Sequence, residues 1–345
     1  MGTKITELMQ SKEISIDDLK GKTVVVDAFN QLYMFLSSIR QPDGSLLKDS
    51  KGNVTSHLNG LFYRFTKLMQ HDIRFVFVFD GKPPELKLKE RQRRAELKHE
   101  AELKFEEAKE KGDEEEMKKY AARTSKLSKD MINDAKELID ALGLCIVQAP
   151  SEGEAQAAFI VRNKHAYASL SQDADSLLFG CPLIVKNLTI SGRRKQAGKL
   201  SYDTVIPEII SLHDTLKELD IAQDQLIVIA MLTGTDYNIG GIKGIGHKTA
   251  LKLVKEYGSG EENFDKLFKD YKWSEYFDYD WIEVFDIIKN TETTDDYKII
   301  FKEVNDEKVI DVLCNKHEFS EERVRKVLET LHSKPKSQKG LGEWS

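Results

Sequence analysis

Cysteine and proline are scarce, with three Cys (Cys145, Cys181, Cys314) and seven Pro in 345 residues. Three widely spaced thiols are too few for a disulfide framework or a zinc site. Each is read as a small apolar filler in a reducing compartment. Long apolar runs are also missing. The longest, residues 24–26, 75–79 and 226–232, fall far short of the ~20 residues of a membrane span, so no membrane protein is expected. The N-terminal MGTKITELMQ has no apolar segment of the secretory kind; it matches only the loose myristoylation pattern at Gly2 and Thr6. The eight histidines are scattered without ligand spacing, which sets aside soft and borderline metals. Positive charge is not in excess either. Lys and Arg number 52 against 58 Asp and Glu, a net charge of -6, which argues against a polyanion partner unless the acids are concentrated in one place.

What is present is a 40% apolar fraction, enough for a sizeable core, and a heavily charged remainder at 32%. Four short apolar runs stand out: KTVVVDA (22–28), RFVFVFDG (74–81), LCIVQA (144–149) and the weaker YASLSQD (167–173). Amphipathic stretches at 31–40, 57–71, 129–142 and 152–163 lie between and beyond them. This alternation predicts an α/β fold, a twisted and mostly parallel central sheet flanked by helices.

In such sheets ligands bind beyond the carboxyl ends of the strands. Each run delivers acid there: Asp27, Asp80, the pair Glu152 and Glu154, and Asp173 with Asp175. Asp236 follows the apolar helix at 226–232. A single Asp in such a place is usually a turn residue, but the set forms a constellation. Seven carboxylates at one site need neutralisation, and an all-oxygen donor set suits Mg²⁺ or Mn²⁺. More than one ion is implied, because a single Mg²⁺ usually takes one or two carboxylates. Two ions that clamp attacking and leaving oxygens are the arrangement of nucleases and phosphatases. Without these seven acids the formal charge changes from -6 to +1. Glu152 and Glu154 also have a local reading, since Ser151 and Glu154 have the spacing of a capping box.

Residues 85–130 hold 14 Lys or Arg and 13 Asp or Glu among 46 residues, with sparse apolar positions. An exposed, mobile helical hairpin is expected, broken at Gly112-Asp113. Its first part is basic, with seven bases against four acids from Lys87 to Lys104. Residues 225–258 read as helix, Gly-rich turn, helix. The run GIKGIG, with Gly244 and Gly246 before Lys248, has the form of a helix-hairpin-helix that grips a duplex backbone. The tail 334–345 is expected to be flexible.

The segments VVVDAFNQLYMFL, VTSHLNGLFYRF, FVFVFDGKPPELK, QAPSEGEAQAAFI, SQDADSLLFG and TGTDYNIGGIKGIGHKTAL, in this order, resemble the structure-specific 5′ flap endonucleases. HEFSEERVRKVLETL near the C-terminus is similar to the last part of that family. The resemblance implies hydrolysis of a DNA phosphodiester near the junction of a 5′ single-stranded flap and duplex, in Okazaki-fragment processing and base-excision repair, with 5′–3′ exonuclease activity. It implies one nuclease domain over 1–333: an N-terminal region 1–130 with a helical arch at 85–130, an internal region 145–260 with the helix-hairpin-helix at 225–258, and a helical part at 261–333.

The same resemblance implies roles. Asp27, Asp80, Glu152 and Glu154 match a first metal group, and Asp173, Asp175 and Asp236 a second. Lys87 and Arg94 match the catalytic cations at the arch base, Tyr33 the aromatic that stacks on the base next to the cut, and Arg64 a phosphate contact. Gly2 matches the residue whose freed amine lies near the site. The cofactors implied are two Mg²⁺ ions, replaceable by Mn²⁺, and K⁺ at the helix-hairpin-helix. In the tail, Gln338, Leu341 and Trp344 match a sliding-clamp motif, although Ser345 stands where a second aromatic belongs. An archaeal-type monomer is expected, cytoplasmic and acting on branched DNA, or nuclear if the source is eukaryotic. The alternatives are a related 5′ exonuclease or gap or bubble nuclease, a metal phosphatase, and a non-catalytic branched-DNA binder.

Overall fold

The computed structural model describes residues 4–121, 124, 126–190, 192–195 and 202–333. Gly2 and the tail residues Gln338, Leu341 and Trp344 lie outside these.

The strands are β1 (Lys12–Glu13), β2 (Thr23–Asp27), β3 (Arg74–Phe79), β4 (Cys145–Gln148), β5 (Ala168–Leu170), β6 (Leu183–Lys186), β7 (Gly192–Lys195), β8 (Tyr202–Val205) and β9 (Glu208–Ser211). The helices are α1 (Ala28–Ser38), α2 (Ser56–Met69), α3 (Glu85–Lys111), α4 (Glu114–Ala121), α5 (Lys129–Ala141), α6 (Gly153–Arg162), α7 (Asp175–Leu178), α8 (Leu212–Leu219), α9 (Gln223–Thr233), α10 (His247–Tyr257), α11 (Glu261–Asp270), α12 (Trp281–Lys289), α13 (Asp306–Ile310) and α14 (Glu321–His332). Seven strands form one sheet in the order β1-β9-β6-β5-β2-β3-β4, while β7 and β8 make a separate ribbon. Strands β4, β3, β2, β5 and β6 are parallel neighbours, and β9 runs antiparallel to β6 and β1. The mostly parallel sheet read from the sequence is borne out.

The central strands are continuous apolar runs because both faces are covered. Val24, Val26, Phe75, Phe77 and Phe79 face a core built from α1, α2, α5, α13 and α14. Val25, Val76 and Val78 face the opposite core, built from α6, α7 and α9 to α12. The period of two therefore survives as a choice of partner: Phe on one side of β3, Val on the other.

Helices α3 and α4 pack on each other, and Gly112 ends α3 in the left-handed region at φ 67°, so the break expected at Gly112-Asp113 is observed. Leu88, Leu97 and Leu103 of α3 are exposed, whereas Ala101, Ala108 and Glu90 are buried. The extended segment 291–304 runs beside the start of β4, the last strand of the sheet. The Lys302 amide donates to the Gly143 carbonyl at 2.9 Å, the Cys145 thiol to the Lys298 carbonyl at 3.4 Å, and Gln156 exchanges two 2.8 Å hydrogen bonds with the Thr294 backbone. Gly143 lies at φ 72°, and a Cβ there would stand 2.2 Å from the Lys302 oxygen. Cys145 and Cys181 are buried and free, as expected of apolar fillers, and Cys314 is half-buried.

Candidate active site

The parallel register sets the ends of the strands side by side. Asp27, the last residue of β2, pairs with Val78 of β3, and Asp80 follows β3 directly. Asp27 also caps α1, accepting from the Asn30 amide at 3.0 Å. The loops after β3 and β4 are stitched together: the Gly81 amide donates to the Ser151 carbonyl at 2.7 Å and the Ala149 amide to Phe79 at 2.9 Å. A Cβ at Gly81 would lie 2.2 Å from the Pro150 oxygen. Glycine is what lets the two loops touch.

Asp80 Oδ1 accepts the Gly153 amide at 2.7 Å, at the N-terminus of α6. The capping box expected from Ser151 and Glu154 does not form. Glu152 is the N-cap, without a side-chain cap, and Glu154 is turned into the acid cluster. Burial and the neighbouring Asp175, Asp27 and Asp173 push Glu154 well above its usual range. The competition for that side chain is won by tertiary packing.

Burial, with Asp80 and Glu152 nearby, pushes Asp27 up to about 7, against the Asn30 hydrogen bond and Lys87. Glu152 is raised by burial and by Asp80 and Asp236, partly offset by Lys87. Tyr237 is raised by burial and by the fields of Glu152, Glu154, Asp236 and Asp175. The fold thus brings all seven predicted carboxylates into one electrostatic cluster.

Two cations of α3 enter the cluster. Lys87 Nζ lies 2.5 Å from Glu152 Oε2 and 3.5 Å from Asp236 Oδ2. Its burial opposes the ammonium form, but Glu152, Asp236 and Glu154 outweigh burial and raise it. Arg94 Nη2 is hydrogen-bonded to Asp236 Oδ1, and Arg94 Nε to Glu90 Oε1 at 2.7 Å. Burial opposes the Glu90 carboxylate, yet Arg93 and Arg94 hold it below its usual range. Glu90 was not singled out from the sequence. It is one of many acids in α3, and only its burial distinguishes it.

The cluster fits divalent metal. Its donors are hard oxygens, and Asp27, Glu152 and Glu154 are all raised by burial and mutual repulsion, the mark of a donor set short of positive charge. Among the described residues no three His, Cys, Asp or Glu side chains form a ready-made cage. In this arrangement Lys87 and Arg94 supply the countercharge.

Tyr33 and Arg64 have partners outside the carboxylate cluster. Tyr33, on α1, is 37% exposed with Lys98 Nζ 4.6 Å from its ring centroid. Arg64 donates to the Thr189 carbonyl at 2.7 Å. Helix α9, the glycine-rich turn and α10 follow one another in the expected order of helix, turn and helix, with Gly244, Gly246 and Lys248 exposed. Gly241, at φ 60°, packs where a Cβ would meet the Leu232 oxygen at 2.4 Å. Open space surrounds Gly244 and Gly246. The glycines of the turn thus divide: Gly241 closes it, and Gly244 and Gly246 leave its surface bare.

A family model described as the XPG N-terminal domain matches residues 3–101, and one described as the XPG I-region matches residues 143–236. Flap endonuclease 1 of Thermococcus onnurineus is 50% identical over 346 residues, covering 100% of this chain and 99% of its own. The chain belongs to the flap endonuclease 1 family. Flap endonuclease 1 of Pyrococcus abyssi is 51% identical over 346 residues, covering 100% of this chain and 98% of its own. The solved structure of flap endonuclease-1 from Methanococcus jannaschii superposes with a TM-score of 0.74 at 40% identity, over 96% of this chain and 98% of that one. The catalytic core of Rad2 in complex with DNA substrate gives 0.71 at 23% identity, over 96% and 100%, a likeness of fold. As a flap endonuclease 1 family member the chain is a metal-dependent, DNA-binding nuclease that hydrolyses phosphodiester bonds, as the motifs led one to expect. Among the described residues no helix is long and apolar enough to cross a membrane.

Proposed function

We propose that this enzyme trims 5′ flaps, cutting next to the point where a displaced 5′ single strand meets duplex, with a related 5′–3′ exonuclease action. Okazaki-fragment processing and base-excision repair are the settings such chemistry serves. The observation that carries the reading is that Asp236 meets both Lys87 and Arg94 over the carboxylate cluster. Two cations at the foot of a long helix, paired with acids among the described residues, are placed to exchange those acids for a phosphate.

Asp27, Asp80, Glu152 and Glu154 would hold one Mg²⁺, and Asp173, Asp175 and Asp236 a second, with Mn²⁺ able to substitute. When bound, such ions activate water and neutralise charge on the phosphate. Lys87 and Arg94 offset the charge that develops on the phosphate oxygens, and Glu90 holds Arg94 in place for that task. Tyr33 offers a ring for a base to stack on once Lys98 moves off it. Arg64 and the Gly2 amine are assigned to phosphate contacts, Arg64 after release from Thr189. Gly244, Gly246 and Lys248 grip the duplex backbone, with K⁺ at the turn.

One nuclease domain over 1–333 is proposed, with 85–130 as the arch and 334–345 as the tail. A cytoplasmic monomer is proposed, with the tail residues Gln338, Leu341 and Trp344 docking on a sliding clamp. Titrating a 334–345 peptide into the clamp tests that docking, and absence of binding discards it alone. For the enzyme, a 5′-labelled flap substrate is to be cut in Mg²⁺ and left intact in chelator. Equal cleavage in both would overturn the reading.

A further inference from the structure

Asp236 lies on the loop between α9 and α10, outside any helix or strand. Within the loop, fully buried Asn238 accepts the Thr235 amide and hydroxyl at 3.2 and 2.6 Å and donates to the Met231 carbonyl at 2.7 Å. From outside it, Tyr279 reaches in. Its hydroxyl donates to the carbonyl of Tyr237, the residue next to Asp236, at 2.8 Å.

Tyr279 is itself clamped. The Trp273 indole donates to the Tyr279 carbonyl at 2.7 Å, and the rings of Phe277 and Trp273 stand 5.6 and 6.4 Å from that of Tyr279. Trp273 in turn packs on Phe268 of α11 at 5.0 Å. Lys89, two residues beyond Lys87, places its ammonium 5.4 Å from the centroid of the Tyr279 ring and 3.0 Å from Asp278 Oδ1. One aromatic block therefore touches the acid-bearing loop through a hydroxyl and the foot of α3 through a ring.

We propose that Tyr279 is a positioning residue that fixes Asp236 for metal binding, as the tip of an aromatic strut joining the Asp236 loop to the foot of α3. The inference rests on the metal role proposed for Asp236. A backbone carbonyl in a half-buried loop requires a donor, and a hydroxyl on a rigid ring fixes its place at little cost in entropy. Phenylalanine would keep the packing and lose the bond.

The test compares Tyr279→Phe with Asp236→Asn in the full-length enzyme. Mn²⁺ affinity is measured by electron paramagnetic resonance titration, amide exchange of residues 234–242 in metal-free protein, and single-turnover flap cleavage against Mg²⁺ concentration. Tyr279→Phe is expected to weaken Mn²⁺ binding and raise the Mg²⁺ half-saturation by about three- to ten-fold, the scale of one hydrogen bond. Exchange should quicken at the Gly241 and Ile242 amides, with the melting temperature lowered by no more than about 4 °C. Tyr279→Leu, which also strips the ring from Lys89, should in addition lower the rate at saturating Mg²⁺. If Asp236→Asn is crippled but Tyr279→Phe matches the native enzyme in metal affinity, or loses rate only in proportion to stability, the positioning role falls and the metal site stands. If Asp236→Asn itself binds Mn²⁺ and cleaves normally, the metal assignment is wrong and the inference falls with it.

Discussion

Gly153 and Asp80 are fitted to each other without room for a side chain. The Gly153 amide donates to Asp80 Oδ1 at 2.7 Å, and a Cβ on residue 153 would stand 2.5 Å from that same oxygen. The acid is aimed by the glycine between the two glutamates. Gly153→Ala should displace the Asp80 carboxylate and lower the single-turnover rate by on the order of 10-fold or more, with flap affinity little changed. A rate equal to the native enzyme's would show that Asp80 tolerates displacement.

Asp175→Ala should abolish cleavage at ordinary Mg²⁺ while leaving flap-DNA affinity within about an order of magnitude, because duplex grip lies at the hairpin. Filter binding and single-turnover cleavage on one preparation separate the two. Near-native cleavage would refute the two-ion assignment.

Lys87→Ala and Arg94→Ala should each slow single-turnover cleavage by on the order of 10²-fold, the scale of one preorganised electrostatic donor. Each also strips countercharge from Asp236, and Lys87→Ala strips it from Glu152 as well. A defect confined to binding would reduce both residues to ordinary phosphate contacts.

Gly246 allows a cleaner test of the duplex grip than Gly244. Gly244 sits at φ 89°, where any side chain is strained, whereas Gly246 has φ -94° and open space around a Cβ. Gly246→Ala should fold normally and weaken flap and plain duplex alike, since the contact is with backbone. Undiminished duplex affinity in gel-shift titrations would move the grip elsewhere.

Acid should weaken the protein through His57. Burial, and then neighbouring His317, lower its pKa from 6.5 to about 3, so it is neutral in the folded state. His317 is in turn flanked by Asp134 at 3.2 Å and Asp49 at 3.6 Å. The unfolded chain takes up this proton first, so stability is full above pH 6.5 and is lost as pH falls towards about 3. His57→Phe should flatten that acid limb in urea unfolding between about pH 7 and pH 4. An unchanged slope would assign the limb to the carboxylates.

The sheet centre and the acids were legible because β2 and β3 are uninterrupted apolar runs with aspartate at one end. Parallel register does the rest, so Asp27 and Asp80 needed no tertiary information. Strands β1, β9 and β6, on one side of the sheet, were not read. Residues 12–13 are too short to carry a period, and EIIS at 208–211 lacks alternation. Ser151 and Glu154 misled for the reverse reason, since a sound local cap lost to a stronger tertiary demand on Glu154. Gly81, Gly153 and Tyr279 were missed because each acts through a residue distant in sequence, and Glu90, which pairs with Arg93 and Arg94 on its own helix, because only its burial sets it apart from the other acids of α3. A glycine that lets a carboxylate approach looks, in a chain, like any turn glycine.

Segment 291–304 has a consequence for how the molecule keeps company. An open sheet invites another sheet to extend it, and β4 is the terminal strand on its side. Here the chain has laid its own later residues beside the start of that strand, anchored at Gly143 and Cys145 and, on α6, at Gln156. Cover at the start of this border is thus supplied by residues more than 140 positions downstream of Gly143 in the sequence. Protein cut within that stretch would lose its guard against self-association while keeping every carboxylate of the active site.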